Sequence, residues 1–261
     1  MVGSADDDGR QTVLQPLTRA NHEPASRTLV TVAHLLHGIL RPLTKRDWRN
    51  QDKVLPTGGV VFVVNHISNA DPLAVAQFLA FSGRWPHFLA KASLFTVPAL
   101  GRLLRACDQI PVERTSAKSA DALQAAVAAV EAGKAVVIYP EGTITRDPAL
   151  WPMKGRTGAA RVALRTGCPV IPIGQWGAEG LMYGPKITFP KIIPRKTLRL
   201  IAGDPVPLDD LRALPVTAAT LNEATDRIMD AITALVAVLR PDAPPAERYD
   251  PRSRPTTGDQ R

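Results

Sequence analysis

The sequence predicts an α/β fold: a mostly parallel central sheet flanked by helices, with an N-terminal amphipathic helix and a long C-terminal helix. Three observations carry this. The runs Val60-Val61-Phe62-Val63-Val64, Val136-Val137-Ile138-Tyr139 and Val170-Ile171-Pro172-Ile173 are apolar almost throughout, as strands covered on both faces are. They alternate with stretches of helical composition, the rhythm of βα units. Gly133 and Gly167 stand where the intervening helices have to stop.

In chain order, Leu29, Val32, Ala33, Leu36, Ile39, Leu40 and Leu43 recur at three- and four-residue spacing, which predicts an amphipathic helix over 29–43, interrupted near its end by Pro42. Arg41, Lys45, Arg46, Arg49 and Lys53 place a basic cluster at its C-terminal side, the combination found in helices that lie on anionic membranes. The same pattern also describes a helix packed on the protein's own core with a solvated charged face. A strand over 60–64 then leads into a helix over 72–81, with Pro72 suited to the first turn. Residues Lys91 to Arg105 read as helical and lead to a short strand near Gln109 to Val112. The alanine-rich stretch from Ser119 to Ala132 reads as a helix. Strands over 136–139, 170–173 and 198–201 and a helix over 156–166 follow. Thr220 and Glu223 have capping-box spacing, and Leu221, Ala224, Ile228, Ile232, Leu235 and Leu239 share one face of a long closing helix.

A chain of 261 residues that is 45% hydrophobic can bury one full core. Residues 1–27 are expected to be a flexible N-terminal segment, 28–240 one folded domain, and 241–261, rich in proline and scattered charge, a disordered tail. Lys and Arg outnumber Asp and Glu by 32 to 24, so the net charge of +8 favours anionic partners. Nucleic acid is not expected among them: aromatics make up only 5% of the chain, and no helix-turn-helix, RNP or zinc pattern occurs. Cys107 and Cys168 are too few for a disulfide framework and lack metal-ligand spacing. The N-terminus opens with an acidic Asp6-Asp7-Asp8 run instead of a secretory leader, so export is not expected. No stretch reaches the roughly 18 to 20 apolar residues of a membrane-spanning helix, so any membrane contact is expected to be peripheral.

The residues that carry chemistry follow the strands. His66 and Asp71, in Asn65-His66-Ile67-Ser68-Asn69-Ala70-Asp71, emerge from the strand at 60–64. An imidazole, with its ordinary pKa near about 6.5, is suited to taking a proton at neutral pH, and a carboxylate on its other nitrogen fixes the tautomer and stabilises the imidazolium. Alone, the pair equally describes a helix-capping aspartate beside a surface histidine. Tyr139-Pro140-Glu141-Gly142-Thr143 follows a second buried strand, so a parallel sheet brings it to the same edge, where turn amides can receive an anion. Arg114, in Ile110-Pro111-Val112-Glu113-Arg114, follows the intervening strand and offers a guanidinium for bidentate phosphate binding.

The order of these motifs resembles the glycerolipid acyltransferases, the family of 1-acylglycerol-3-phosphate O-acyltransferase. Asn65, His66 and Asp71 look like its Asn-His-x4-Asp block, Ile110 to Arg114 like its arginine block, Pro140 to Thr143 like its Pro-Glu-Gly-Thr block, and Val170 to Ile173 like its final hydrophobic block. Lys91, Leu94, Pro98 and Gly101 match the pattern between the first two. The resemblance covers residues 55 to 205. It implies an acyltransferase domain within 28–240 that moves a fatty acyl chain from acyl-CoA or acyl carrier protein to the hydroxyl of lysophosphatidic acid, with no cofactor beyond the acyl-CoA co-substrate. It implies His66 and Asp71 as the catalytic pair, and Arg114, Glu141, Gly142, Thr143 and Lys91 as substrate-binding residues. Where the family continues with arginine after Pro-Glu-Gly-Thr, this chain has Ile144, so Arg146 or Lys154 is expected to supply that charge from a shifted position. That departure keeps a second acceptor class open: a glycolipid, lysophospholipid or monoacylglycerol. Both substrates partition into membranes, which implies peripheral work at the cytoplasmic face of the cell membrane. Besides the helix at 29–43, Lys186, Lys191, Arg195 and Lys196, mixed with Ile187, Phe189, Ile192 and Ile193, are expected to supply that contact. A non-catalytic protein binding anionic lipid or nucleic acid is the reading of a different class, and it gains nothing from an intact His66 and Asp71.

Overall fold

The computed structural model describes Leu17, Asn21 and residues 23–55, 57–112, 119–183 and 189–252. Its centre is a seven-stranded sheet of β1 (Thr44–Arg49), β2 (Val60–Val64), β3 (Pro86–Lys91), β4 (Ile110–Val112), β5 (Ala135–Ile138), β6 (Val170–Trp176) and β7 (Lys196–Ala202), in the spatial order β1-β7-β6-β2-β5-β3-β4. Every neighbouring pair is parallel except β6 and β7, which run antiparallel. Helices α1 (Arg27–Leu43), α2 (Asp71–Phe81), α3 (Pro98–Ala106), α4 (Ser119–Glu131), α5 (Gly158–Thr166), α6 (Asp209–Arg212) and α7 (Ala218–Leu239) complete the expected α/β architecture.

The pleat of β2 sorts the core into two layers. Val60, Phe62 and Val64 face a cluster with Trp48 of β1 and Val75, Phe78 and Leu79 of α2, whereas Val61 and Val63 face Val127 of α4, Ala160 of α5 and Ile228 and Ile232 of α7. Both faces of the strand are therefore dry, which is why its sequence is apolar without alternation. Helix α2 is buried from Ala74 to Phe81 except at Gln77's neighbour Ala76, and an all-round apolar helix needs a second cover. Helix α1 provides it. Its N-cap Ser26 accepts from the Leu29 amide at 3.1 Å, and Leu29 and Leu40 are buried beneath it, but Ile39 of the expected stripe is 50% exposed and Leu35 is 64% exposed.

Several elements differ from expectation. The stretch 91–105, read as one helix, divides into the last residue of β3, a 3-10 turn over Ala92–Leu94 and α3, because Pro98 can only start a helix. Gly101 lets α3 approach this turn: a Cβ there would lie 2.1 Å from the Phe95 carbonyl oxygen. Strands β1 and β3 were not foreseen, since β1 carries four charged residues and β3 begins with proline. The closing helix starts earlier than Thr220. Its N-cap is Thr217, whose side chain accepts from the Thr220 amide at 3.2 Å, while Glu223 pairs with Arg227. Residues 241–252 have no regular structure and are fastened to the body: the Lys154 amide donates to the Tyr249 carbonyl at 2.9 Å and Arg248 pairs with Asp230. Glu23 is likewise held by Arg84 and by the Trp85 amide. No helix among the described residues is long and apolar enough to cross a membrane.

Candidate active site

Because β2 and β5 are parallel, with Val63 opposite Ile138, the turns that follow them leave the sheet at the same edge. His66 and Glu141 meet there. The His66 amide donates to Glu141 Oε1 at 2.8 Å, and the Met153 amide donates to Oε2 at 3.1 Å. The Thr145 amide donates to the His66 carbonyl at 2.7 Å, so the backbone of His66 is gripped on both sides by the loop after β5. From the other side, Asn65 locks to β6. Its Nδ2 donates to the Gln175 carbonyl at 3.1 Å, its Oδ1 accepts from the Gln175 amide at 2.9 Å, and Gln175 Nε2 donates to the Asn65 carbonyl at 2.7 Å.

The loop from His66 folds back onto the first turn of α2, which brings the Asp71 carboxylate under the imidazole. Asp71 is fully buried, and its Oδ2 accepts from His66 Nδ1 at 2.8 Å and from the Ile67 and Ser68 amides at 2.6 and 2.9 Å. Burial pushes the Asp71 carboxyl up, while His66 and the two amides pull it down. With Oδ2 as an acceptor, the neutral ring carries its proton on Nδ1 and keeps the Nε2 lone pair for a substrate proton. The ring stacks on Tyr139 at 4.3 Å between centroids, with Phe88 behind it, and its side chain is 15% exposed. A base held in one tautomer, backed by a carboxylate and with its side chain partly exposed, is what deprotonation of a hydroxyl requires.

The other residues expected at the site fall in different places. Glu141 is turned inward onto two amides, so its carboxylate holds the His66 backbone and is not presented to a ligand. Gly142 adopts φ of 71° in the turn closed by its own amide on the Tyr139 carbonyl at 2.9 Å. Thr143 beside it is half-buried, and Lys91 is exposed at the end of β3, at the same edge. Lys154 is drawn away by Asp250 at 3.2 Å, and Arg146 is exposed. The basic group at the turn is instead Arg156, whose Nε would lie 3.0 Å from a Cβ added to Gly142 and which has no carboxylate partner among the described residues. Arg114 lies outside the described residues, just beyond the end of β4.

Burial pushes the Glu141 carboxyl up to about 8 from its ordinary 4.5, against the two amides that pull it down. Between those pH values the native state keeps a proton that the unfolded chain has released. The stability that Glu141 contributes therefore falls as pH rises through the window. In urea unfolding of the intact protein and Glu141→Gln from pH 5 to 8, the advantage of the glutamate should shrink steadily with pH; parallel curves would contradict this assignment.

A family profile described as Acyltransferase matches residues 45–176. The chain belongs to the glycerolipid acyltransferase family. Among related acyltransferases, it is 32% identical over 123 residues to a chloroplast 1-acyl-sn-glycerol-3-phosphate acyltransferase of Brassica napus, a match covering 47% of this chain and 34% of that protein. It is 29% identical over 150 residues to the 1-acyl-sn-glycerol-3-phosphate acyltransferase of Salmonella typhimurium, covering 56% of this chain and 58% of the relative. The crystal structure of the 1-acyl-sn-glycerophosphate (LPA) acyltransferase PlsC of Thermotoga maritima has the same fold, with a TM-score of 0.64 at 19% identity, covering 83% of this chain and 81% of that one. The chain thus matches between a third and somewhat over half of the length of these two curated relatives. The acyltransferase match contains His66, Asp71 and Glu141, and it ends at Trp176, directly after the Gln175 that anchors Asn65. Among the described residues, no group of three or more His, Cys, Asp or Glu is placed to hold a metal ion.

Proposed function

We propose that this acyltransferase moves a fatty acyl chain from acyl-CoA, or the equivalent acyl carrier protein thioester, to the free hydroxyl of lysophosphatidic acid. The observation that carries the reading is the 2.8 Å bond from His66 Nδ1 to a fully buried Asp71, which leaves Nε2 as the base at the sheet edge. His66 takes the hydroxyl proton as the oxygen attacks the thioester carbonyl, and Asp71 stabilises the imidazolium. Collapse of the tetrahedral adduct forms the ester, breaks the C–S bond and returns the proton to the departing CoA thiolate. Both cysteines are buried, and burial pushes both thiols up, so neither is set up as the thiolate of an acyl-enzyme. Arg114, carried over from the family resemblance, and Arg156, beside the Gly142 turn, are the guanidinium groups offered to the acceptor phosphate.

Ile144 in place of the family's arginine favours a second reading, transfer to another lipid acceptor such as a glycolipid, lysophospholipid or monoacylglycerol. Radiolabelled acyl-CoA tested against this panel separates the two: a phosphate-free acceptor used faster than lysophosphatidic acid would overturn the first. If Arg114 binds the acceptor phosphate, Arg114→Ala should raise the KM for lysophosphatidic acid roughly 10-fold or more and leave the KM for acyl-CoA near that of the parent, because a lost charge-assisted hydrogen bond costs about 1.5–3 kcal/mol. An effect confined to acyl-CoA would show that the role is misassigned. The exposed Leu35 and Ile39 of α1 and the basic residues beside them support peripheral contact with the cytoplasmic face of an anionic membrane.

A further inference from the structure

Two basic stretches that lie about 150 residues apart in sequence meet in space. Strand β1 pairs with β7 in parallel, with Thr44 opposite Lys196, so the C-terminal end of α1 and the residue before β7 arrive at one corner of the sheet. Arg195 seals the junction: its Nη2 donates to the Arg41 carbonyl at 3.0 Å and to the Thr44 carbonyl at 2.7 Å. Around it is an open cavity of about 590 Å³ lined by His37, Gly38, Arg41, Pro42, Arg46 and Arg195.

No carboxylate among the described residues pairs with Arg41, Arg46 or Arg195, although the next acid on β1, Asp47, is engaged by Arg49 at 3.0 Å. The three guanidinium groups feel one another: Arg41 and Arg195 depress Arg46, after burial, and Arg46 and Arg41 depress His37 in the same way. His37 Nδ1 accepts from Gln77 Nε2 at 3.1 Å, so the neutral ring presents an N–H at Nε2. Like charges brought together without acids are stabilised when an anion enters. The surroundings say which anion. Both segments that supply the arginines also expose large apolar side chains close to them in sequence, Leu35 and Ile39 on α1 and Phe189 and Ile193 before Arg195, with Phe189 97% exposed. A soluble phosphate makes no use of exposed apolar side chains on the segments that bind it; a lipid whose headgroup sits in the pocket does.

We propose that this pocket binds the phosphate of an anionic membrane lipid, as a docking site separate from the acyl-transfer centre. β1 lies three strands from β2 in the sheet, on the side away from β4, so the pocket is set apart from the strand that leads into His66. The proposal does not rest on the acyl-transfer reading, since none of the pocket residues belongs to the catalytic set.

The test is co-sedimentation of the full chain with vesicles of phosphatidylcholine alone and of phosphatidylcholine containing one quarter phosphatidylglycerol. The parent should pellet with the anionic vesicles only. Arg41→Gln/Arg46→Gln should reduce partition roughly thirtyfold, about fivefold per arginine, whereas Lys45→Gln/Lys53→Gln, which removes the same charge from the same segment outside the pocket, should reduce it far less. Equal losses in the two double variants would overturn the pocket in favour of diffuse attraction. Displacement of the parent from anionic vesicles by millimolar glycerol phosphate would overturn the lipid as occupant. Thermal unfolding checks each variant; if the arginine pair fails to fold, Arg46→Gln alone should still lose about fivefold, and no loss would overturn the proposal.

Discussion

His66→Ala will lower acyl transfer by about 10³-fold or more and leave the thermal unfolding of the protein close to that of the parent. A positioned general base contributes roughly 10² to 10⁴ in rate, and the upper part of that range applies where the nucleophile is an un-ionised alcohol. The unchanged stability follows from what holds the loop. The contacts that place residue 66 run through its backbone, to Glu141, Thr145 and, by way of Asn65, to Gln175, and a methyl side chain keeps all of them. What is lost in the fold is one ring on Tyr139 and one of the three hydrogen bonds at Asp71 Oδ2; the Ile67 and Ser68 amides remain on that oxygen. A variant that unfolds early and loses activity in proportion would assign His66 a structural role instead. One that keeps both stability and turnover would remove it from the mechanism.

At the opposite edge of the sheet, Arg84→Met should cost about 3–5 kcal/mol of stability. The Arg84 side chain is fully buried, and its donors reach Glu23 Oε1 at 3.2 Å and the carbonyls of Leu55, Gly58 and Gly133 at 2.8, 2.7 and 3.0 Å. Gly58 leads into β2 and Gly133 into β5, so one guanidinium fastens the entrances of both strands whose far ends carry His66 and Glu141. Methionine matches its length but leaves three carbonyls without donors and the Glu23 carboxylate with the Trp85 amide alone, the costly way to break a buried ionic cluster. For a protein of this size the loss corresponds to a fall in Tm of roughly 10 °C. At a temperature where the variant is still folded, its KM values should match the parent's, since none of these contacts touches the catalytic edge.

The two edges also show what was legible in the sequence. Strands β2 and β5 declare themselves because both faces are covered and every position is apolar, and β6 does so over Val170 to Ile173. β1 does not: it is an edge strand whose inward set is Thr44, Arg46 and Trp48, and only the last reads as core. Its charged residues look like a membrane-facing cluster until pairing with β7 turns them into a strand and brings Arg41 and Arg46 to Arg195. The reversal of β7 against β6 has no local signature, because parallel and antiparallel neighbours bury the same side chains. At the site, His66, Asp71 and Glu141 were visible as motif residues, but the inward turn of Glu141 depends on the Met153 amide twelve residues later. Gln175 carried no signal at all, being separated from Asn65 by 110 residues. Arg156 was equally silent, since its place beside Gly142 is set by the fold of the intervening loop.

The central claim, that His66 acts as the base while the acyl group passes directly from the thioester to a lipid hydroxyl, is tested most directly by product formation from radiolabelled acyl-CoA and lysophosphatidic acid, with parent and His66→Ala side by side. The account predicts that the parent forms labelled phosphatidic acid with release of one CoA thiol per ester, that no label stays on the protein when the acceptor is omitted, and that the variant forms almost none. Equal product from both proteins, or stoichiometric label retained on the chain, would contradict it.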